Sequence, residues 1–107
     1  MMFFFWQHSR QERAGQGVTR RVLAHAGNLM CVEVSFEQGA IGARHSHPHE
    51  QLTYVRSGVF LFTIGEERHE VRAGDTLYKK PNIPHGCVCL ESGVLIDMFT
   101  PPRKDFL

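Results

Sequence analysis

The amino-acid sequence predicts an all-β protein with one domain, and three observations support that fold class. Short runs rich in β-branched and aromatic residues recur between glycine, proline, asparagine and serine residues, as in strands joined by tight turns. No segment has helical periodicity beyond about two turns. The 107 residues are enough for one hydrophobic core and too few for two ordinary domains. We therefore expect short antiparallel strands that close into a barrel or stack as a jelly roll.

Eight runs carry the β pattern and are the expected strands of this domain. In chain order they cover residues 18–25, 29–36, 51–57, 59–64, 68–71, 76–79, 85–90 and 94–100. Pairs of turn-forming residues separate them, and two of these pairs, Ser57-Gly58 and Ser92-Gly93, are expected to end one strand and begin the next. Residues 18–107 are thus expected to form the folded domain, and residues 1–17 an N-terminal segment that precedes it.

Composition argues against several classes of protein. Hydrophobic residues make up 42% of the chain and charged residues 21%, close to the average for soluble globular domains. The net charge is +1 and acidic and basic residues are interleaved, so no surface for DNA or RNA is expected. The three cysteines are odd in number and include no Cys-x-x-Cys pair, which favours reduced thiols and a cytoplasmic protein.

The first residues of the chain are strongly apolar. Residues 3–6, Phe-Phe-Phe-Trp, follow no basic region, and Gln7 and His8 interrupt the run, so neither an export signal nor a membrane span is expected. We expect these aromatic residues to form an edge strand or a docking segment. A contact between the subunits of a homodimer is the predicted use of such a segment.

Three histidines and a glutamine form a candidate metal site. His45 and His47 are separated by one residue, so on a strand both side chains point to the same face. Gln51 has the same parity and adds an amide oxygen, and His85 adds a third imidazole after a proline-bounded turn. Three nitrogens and one oxygen suit a divalent cation and leave positions open for a substrate. The alternative for an isolated His-x-His pair is a chance cluster at the surface.

His49 has the same parity as this pair and competes for the same role. Pro48 is expected to bend the chain, which would turn His49 toward the rim of the site. The remaining histidines are expected at the surface: His8, His25 and His69.

The last predicted strand carries a carboxylate among apolar residues. Leu95, Asp97 and Phe99 alternate onto one face of this strand. A buried, unpaired carboxylate is costly, so Asp97 needs either solvent or a functional partner. A structural salt bridge from Asp97 to Arg103 is the alternative to a functional role.

Two spaced motifs resemble those of the cupin family. The first family motif is glycine, five residues, His-x-His, three or four residues, glutamate, six residues and glycine. It falls here on Gly39, His45, His47, Gln51 and Gly58, with glutamine in place of glutamate. The second is glycine, five residues, Pro-x-Gly, two residues and histidine. It falls on Gly74, Lys80, Asn82 and His85, with Lys80 in place of proline and Asn82 in place of glycine.

Longer segments resemble a group of small cupins that take part in pectin degradation. The segments are HSHPHEQLTYVRSG, FLFTIGEE, AGDTLYKKPNIPHG and VLIDMFTPPRKDFL, and the resemblance covers most of the chain from about residue 18 onward. It implies a double-stranded β-helix, the jelly-roll barrel of the family. It also implies that the metal ligands are His45, His47, Gln51 and His85, and that the catalytic or substrate-contacting residues are Asp97, Phe99 and Arg103.

By the same resemblance, the expected activity converts 4,5-unsaturated monouronates from pectin, and in some organisms from alginate, to linear keto-uronates. The expected cofactor is one divalent transition metal; nickel, manganese, iron and zinc all accept imidazole and amide ligands. Because an amide replaces a carboxylate in the ligand set, a small anionic sugar acid is the expected partner. Two other functions stay open: a metal-dependent dioxygenase, and a sugar-binding module without catalysis.

Overall fold

Antiparallel strands make up most of the described chain, residues 2–107 of a computed structural model. The strands in order are β1 (Gln11–Gly15), β2 (Val18–Ala26), β3 (Leu29–Phe36), β4 (Ile41–His45), β5 (Glu50–Ile64), β6 (Glu67–Arg72), β7 (Thr76–Lys79) and β8 (His85–Thr100). Two short 3-10 helices, Trp6–His8 and Lys104–Phe106, flank them. With three residues each, neither of these two helices of residues 2–107 could span a membrane. The prediction of an all-β fold is confirmed.

All eight strands belong to one sheet, in the order β1-β2-β3-β8-β5-β6, with β4 paired to β8 and β7 paired to β5. The long strands β5 and β8 pair with each other from Glu50↔Thr100 to Ile64↔His85. His85 and Asp97 lie twelve residues apart on β8, which is about 40 Å in a straight strand. Both nevertheless line one cavity, so the sheet curves back on itself.

The two long strands bend where turns were expected. Ser57-Gly58 and Ser92-Gly93 lie inside β5 and β8, and the pairing between these strands changes register beside them. Gly58 has a φ of 83°, and a Cβ added to it would lie 2.6 Å from the Gly93 Cα. The prediction that these pairs end strands is wrong, because a bulge at a glycine bends a strand without ending it.

Strands β1 and β4 lie outside the predicted runs. β1 pairs with β2 at the edge of the sheet, and β4 pairs with the first half of β8. Their sequences, QERAG and IGARH, contain a single β-branched residue between them. Their β propensity is weak, so the sequence pattern did not predict them. They are strands because they pair with a neighbouring strand.

The N-terminal segment, residues 1–17, supplies the edge strand β1, but its aromatic residues lie outside that strand. Phe3, Phe4 and Phe5 lie outside the strands, Trp6 begins the first 3-10 helix, and all four side chains are exposed. The indole Nε1 of Trp6 donates to Glu33 Oε1 at 3.0 Å, which attaches the segment to β3. A subunit contact through this segment stays a prediction.

Two clusters of buried side chains form the core, and members of both line the cavity. The larger cluster contains Val18, Phe36, Ala40, Val55, Phe60, Phe62, Val71, Cys87, Cys89 and Leu95. The smaller cluster contains Met30, Val32 and Phe99. Because the two clusters meet around the cavity, its wall combines rigid apolar packing with the polar residues described below.

Candidate metal centre and cavity

The curved sheet lines a cavity of about 380 Å³ that is open to solvent on one side. Six of the seven predicted site residues line it: His45, Gln51, His85, Asp97, Phe99 and Arg103. The seventh, His47, places its Nε2 2.9 Å from the Oε1 of Gln51. Residues from distant parts of the sequence therefore meet in one place.

The three imidazoles converge at one end of β4. His45 is the last residue of β4 and is paired with His85, the first residue of β8. His47 follows β4 in the link to β5, so the prediction that one strand carries both His45 and His47 is wrong. The change of chain direction after β4 still brings the three rings together, with one nitrogen of each within 4.8 Å of the others.

Backbone carbonyls fix the tautomer of each ring. In each case Nδ1 faces a carbonyl oxygen two residues away: His45 and Ala43 at 2.7 Å, His47 and His49 at 3.1 Å, His85 and Ile83 at 2.9 Å. A carbonyl oxygen only accepts, so each Nδ1 carries the hydrogen and donates it. Each neutral ring therefore keeps its lone pair on Nε2, as metal-binding imidazoles do.

Gln51 adds an amide oxygen to these imidazoles. Since His47 carries its hydrogen on Nδ1, its Nε2 and the Gln51 Oε1 are two lone-pair atoms that face each other at 2.9 Å. Two lone-pair atoms at this distance repel each other unless a positive charge lies between them. A shared cation is the arrangement that makes this contact favourable.

Thr53 determines which way the Gln51 amide faces. Its Oγ1 accepts from Lys79 Nζ at 2.9 Å and from Gln51 Nε2 at 3.2 Å, and it donates to Asp97 Oδ1 at 2.6 Å. A hydroxyl has one donor and two acceptor positions, so all three are in use. A reversed amide would set Gln51 Oε1 against an oxygen with no hydrogen left to donate. Oε1 is therefore held toward His47, and the resulting donor set fits a divalent transition metal.

Burial favours the neutral form of two of the imidazoles. It lowers the pKa of His47, and it lowers the pKa of His85 to about 4, where the positive charge of Lys79 acts in the same direction. A metal ion binds the neutral imidazole and competes with protons for it. The electrostatic state of the rings thus agrees with a metal-binding role.

Asp97 and Phe99 lie on one face of β8, as the alternation of residues predicts. Asp97 is half-buried, its Oδ1 is bound by Thr53, and its Oδ2 has no hydrogen-bond partner among residues 2–107. The ring of Phe99 is buried, and its centroid is 5.7 Å from that of His47. The carboxylate is therefore oriented by the protein and still has one oxygen available.

Arg103 pairs with Asp105 and does not form the salt bridge to Asp97 that was the alternative reading of that carboxylate. Its Nε and Nη2 donate to the two carboxylate oxygens of Asp105 at 3.0 and 2.8 Å. This contact lowers the pKa of Asp105. The guanidinium carbon lies 4.3 Å from the ring centroid of Phe106, so the group is held by packing as well as by charge.

Lys79 lies in the cavity wall and was not among the predicted site residues. It is buried although it was expected only as the end of a strand. The alternation of residues along β7 could have predicted this burial. Lys79 lies two residues after the half-buried Leu77 and therefore faces inward, whereas Tyr78 faces solvent.

His49 is half-buried beside His47 and lies outside the group of three converging imidazoles.

Comparison with known proteins identifies the class to which this site belongs. A family model described as Cupin domain matches residues 32–99, more than half of the chain. The chain therefore belongs to the cupin family.

Three relatives are similar over nearly their whole length. Pectin degradation protein KdgF of Dickeya dadantii is 40% identical over 107 residues, which cover 98% of this chain and 97% of that protein. The structure of KdgF from Halomonas sp. has a TM-score of 0.93 at 34% identity and covers 100% of this chain and 99% of that chain. An RmlC-like cupin from Shewanella frigidimarina has a TM-score of 0.94 at 36% identity, with 100% and 96% covered. These matches confirm the cupin fold and the resemblance to the pectin-degradation cupins.

Proposed function

We propose that this cupin converts 4,5-unsaturated monouronates, released from pectin or alginate, to linear keto-uronates by ring opening and ketonisation. One observation carries the proposal. The cavity combines an uncharged set of candidate metal ligands with a carboxylate, Asp97, that is held by the protein and has one oxygen unused. The names of two similar proteins, a pectin degradation protein and a KdgF, support the same class of substrate.

The ligand set favours an anionic substrate. The candidate ligands are neutral donor groups when they bind a metal, three imidazoles and one amide: His45, His47, His85 and Gln51. A divalent metal bound there would supply uncompensated positive charge that attracts and orients a sugar carboxylate or an adjacent oxygen. Arg103 adds a cation at the wall, and its Nη1 is not used by Asp105, so it can donate to the same anion.

The proposed reaction breaks one carbon–oxygen bond and moves one proton. Loss of the proton from the C1 hydroxyl lets C1 form a carbonyl while the bond between C1 and the ring oxygen breaks. The electrons of that bond stay on the ring oxygen, which remains attached to C5 as an enolate. Delivery of a proton to C4 then gives the C5 ketone. The product is an isomer of the substrate, so no oxidant is consumed.

Asp97 is the group that we assign to these proton transfers. Thr53 occupies its Oδ1, which leaves Oδ2 to accept the C1 proton or to deliver a proton to C4. Phe99 lies next to Asp97 on the same face and offers an apolar surface to the sugar ring. General acid and base catalysis of this kind contributes about 10²- to 10⁴-fold to a rate.

The proposal is tested by following the ultraviolet absorbance of the C4=C5 bond of freshly prepared unsaturated galacturonate. Metal-loaded protein is expected to remove this absorbance faster than the spontaneous reaction, and chelator-treated protein is expected not to. Plasma mass spectrometry of the active protein distinguishes nickel, manganese, iron and zinc. A rate equal to the spontaneous one would overturn the proposal, and oxygen uptake during turnover would favour the dioxygenase instead.

A further inference from the structure

Lys79 is a buried lysine that the proposed reaction does not use. It is the last residue of β7, it pairs with Gln51 across the strands, and only 3% of its surface is exposed. The next residue, Lys80, is exposed. Burying an ammonium group is costly unless it is paired and hydrogen-bonded. Because an apolar side chain of similar length would fill the same space, packing alone does not explain a lysine at this position.

The amine of Lys79 has more hydrogen-bond donors than the surrounding protein uses. Nζ donates to Thr53 Oγ1 at 2.9 Å and lies 4.8 Å from the ring centroid of Phe62. A lysine ammonium has three N–H donors, and within residues 2–107 Thr53 is its one hydrogen-bonded acceptor. Since Lys79 lines the cavity, the two remaining donors are available to water or to a ligand there.

The charge of Lys79 also lacks a direct partner. Burial lowers the pKa of Lys79, and the nearby Asp97 carboxylate opposes that effect, but Thr53 stands between the two groups. The other two basic residues of the wall are paired with carboxylates at the distance of a salt bridge: Arg20 with Glu12, and Arg103 with Asp105. Of the lysine and arginine residues described in the wall, Lys79 is therefore the one without a carboxylate at salt-bridge distance.

We propose that Lys79 is a substrate-binding residue that donates hydrogen bonds to an anionic oxygen of the sugar acid in this cavity. The identity of the ligand, a uronate, rests on the function proposed above. An anion at Nζ fills the unused donors and supplies the missing negative charge, so binding offsets the cost of burying the amine. Because the same amine holds the hydroxyl that orients Asp97, it connects the bound anion to the proposed proton-transfer group.

The test compares Lys79→Met with Lys80→Met, which removes the same charge from the exposed neighbouring position. Isothermal titration calorimetry on metal-loaded protein uses galacturonate, a saturated uronate without the reacting C4=C5 bond, and galactose, its uncharged counterpart. Lys79→Met is expected to weaken galacturonate binding by about tenfold or more, since a hydrogen bond to a charged group is lost. Lys80→Met and wild type are expected to bind it equally, and galactose binding is expected to be equal in all three.

Thermal unfolding separates a binding role from a structural one. Lys79→Met removes a buried charge, so it is expected to melt at or above the temperature of Lys80→Met; a lower melting temperature would assign Lys79 to the fold. Lys79→Gln provides a second, polar and uncharged variant. Equal galacturonate binding by wild type and Lys79→Met, or no binding by wild type, overturns the inference. A third outcome separates the two proposals: galacturonate binding depends on Lys79, but the protein does not turn over the unsaturated sugar. That result supports the role of Lys79 and overturns the proposed function.

Discussion

Replacing Thr53 by valine tests the hydrogen-bond network behind the candidate metal centre. Thr53 is 0% exposed, and its hydroxyl makes three hydrogen bonds, two of them to the side chains of Lys79 and Asp97. Valine keeps the shape of the side chain and removes the hydroxyl. The donors of Lys79 and Gln51 then lose their acceptor, and Asp97 loses a donor.

The expected loss of stability follows from these three bonds. A hydrogen bond to a charged group contributes about 1.5–3 kcal/mol, and one between neutral groups about 1 kcal/mol. Their sum is about 4–7 kcal/mol. Water in the cavity can replace part of it at Lys79 and Asp97. We therefore expect Thr53→Val to lower the free energy of unfolding by about 2–4 kcal/mol.

The assay is urea unfolding of the metal-free protein at neutral pH. Thr53→Ser keeps the hydroxyl and is expected to lose about 1 kcal/mol for the missing methyl group. Thr63→Val is a matched control on the same strand, because the Thr63 hydroxyl makes no hydrogen bond within residues 2–107. It is expected to change stability by less than about 0.5 kcal/mol. Wild-type stability in Thr53→Val, or equal losses in the valine and serine variants, would refute the reasoning.

Three other properties can be measured. Asp97→Asn is expected to slow turnover by about 10²- to 10⁴-fold while metal content, measured by plasma mass spectrometry, stays at the wild-type level; an unchanged rate would exclude the assignment. In metal-free protein, His85 has a pKa of about 4 in the folded state and about 6.5 in the unfolded chain, which therefore binds more protons between these values. Stability should thus fall by up to about 3 kcal/mol as the pH drops from about 6.5 to 4, and a urea midpoint with the same pH dependence in His85→Asn would contradict this. Burial raises the pKa of Cys87 to about 11, so iodoacetamide at pH 8 should leave this thiol unmodified in the native protein, and rapid modification detected by peptide mass mapping would be the contrary result.

The candidate metal centre could be predicted from the sequence because its signals are local. The single residue between His45 and His47, the parity of Gln51 and the rigid turn before His85 each limit where a side chain can point. The path of the backbone depends on contacts between distant residues, so the sequence did not predict that β4 ends at His45, before His47. The rings converge nevertheless because the chain turns there.

The bends of the long strands and the role of Lys79 depend on contacts that sequence patterns do not encode. The Ser-Gly pairs that contain Gly58 and Gly93 are typical of turns. Here the close approach of the two glycine backbones produces bulges inside continuous strands instead. Lys79 has the parity of an inward-facing residue, but a lysine at the end of a strand is ordinarily solvated. Its burial follows from the curvature of the sheet, which places the end of β7 in the cavity wall.

The most direct test of the proposed function is proton NMR of unsaturated galacturonate in deuterium oxide. We predict that metal-loaded protein accelerates formation of the linear keto product over the spontaneous reaction. At early times deuterium should occupy one of the two positions on C4, because a single carboxylate at Asp97 delivers it. A rate equal to that without protein, or equal deuterium at both positions at early times, would contradict the proposed function and the role of Asp97.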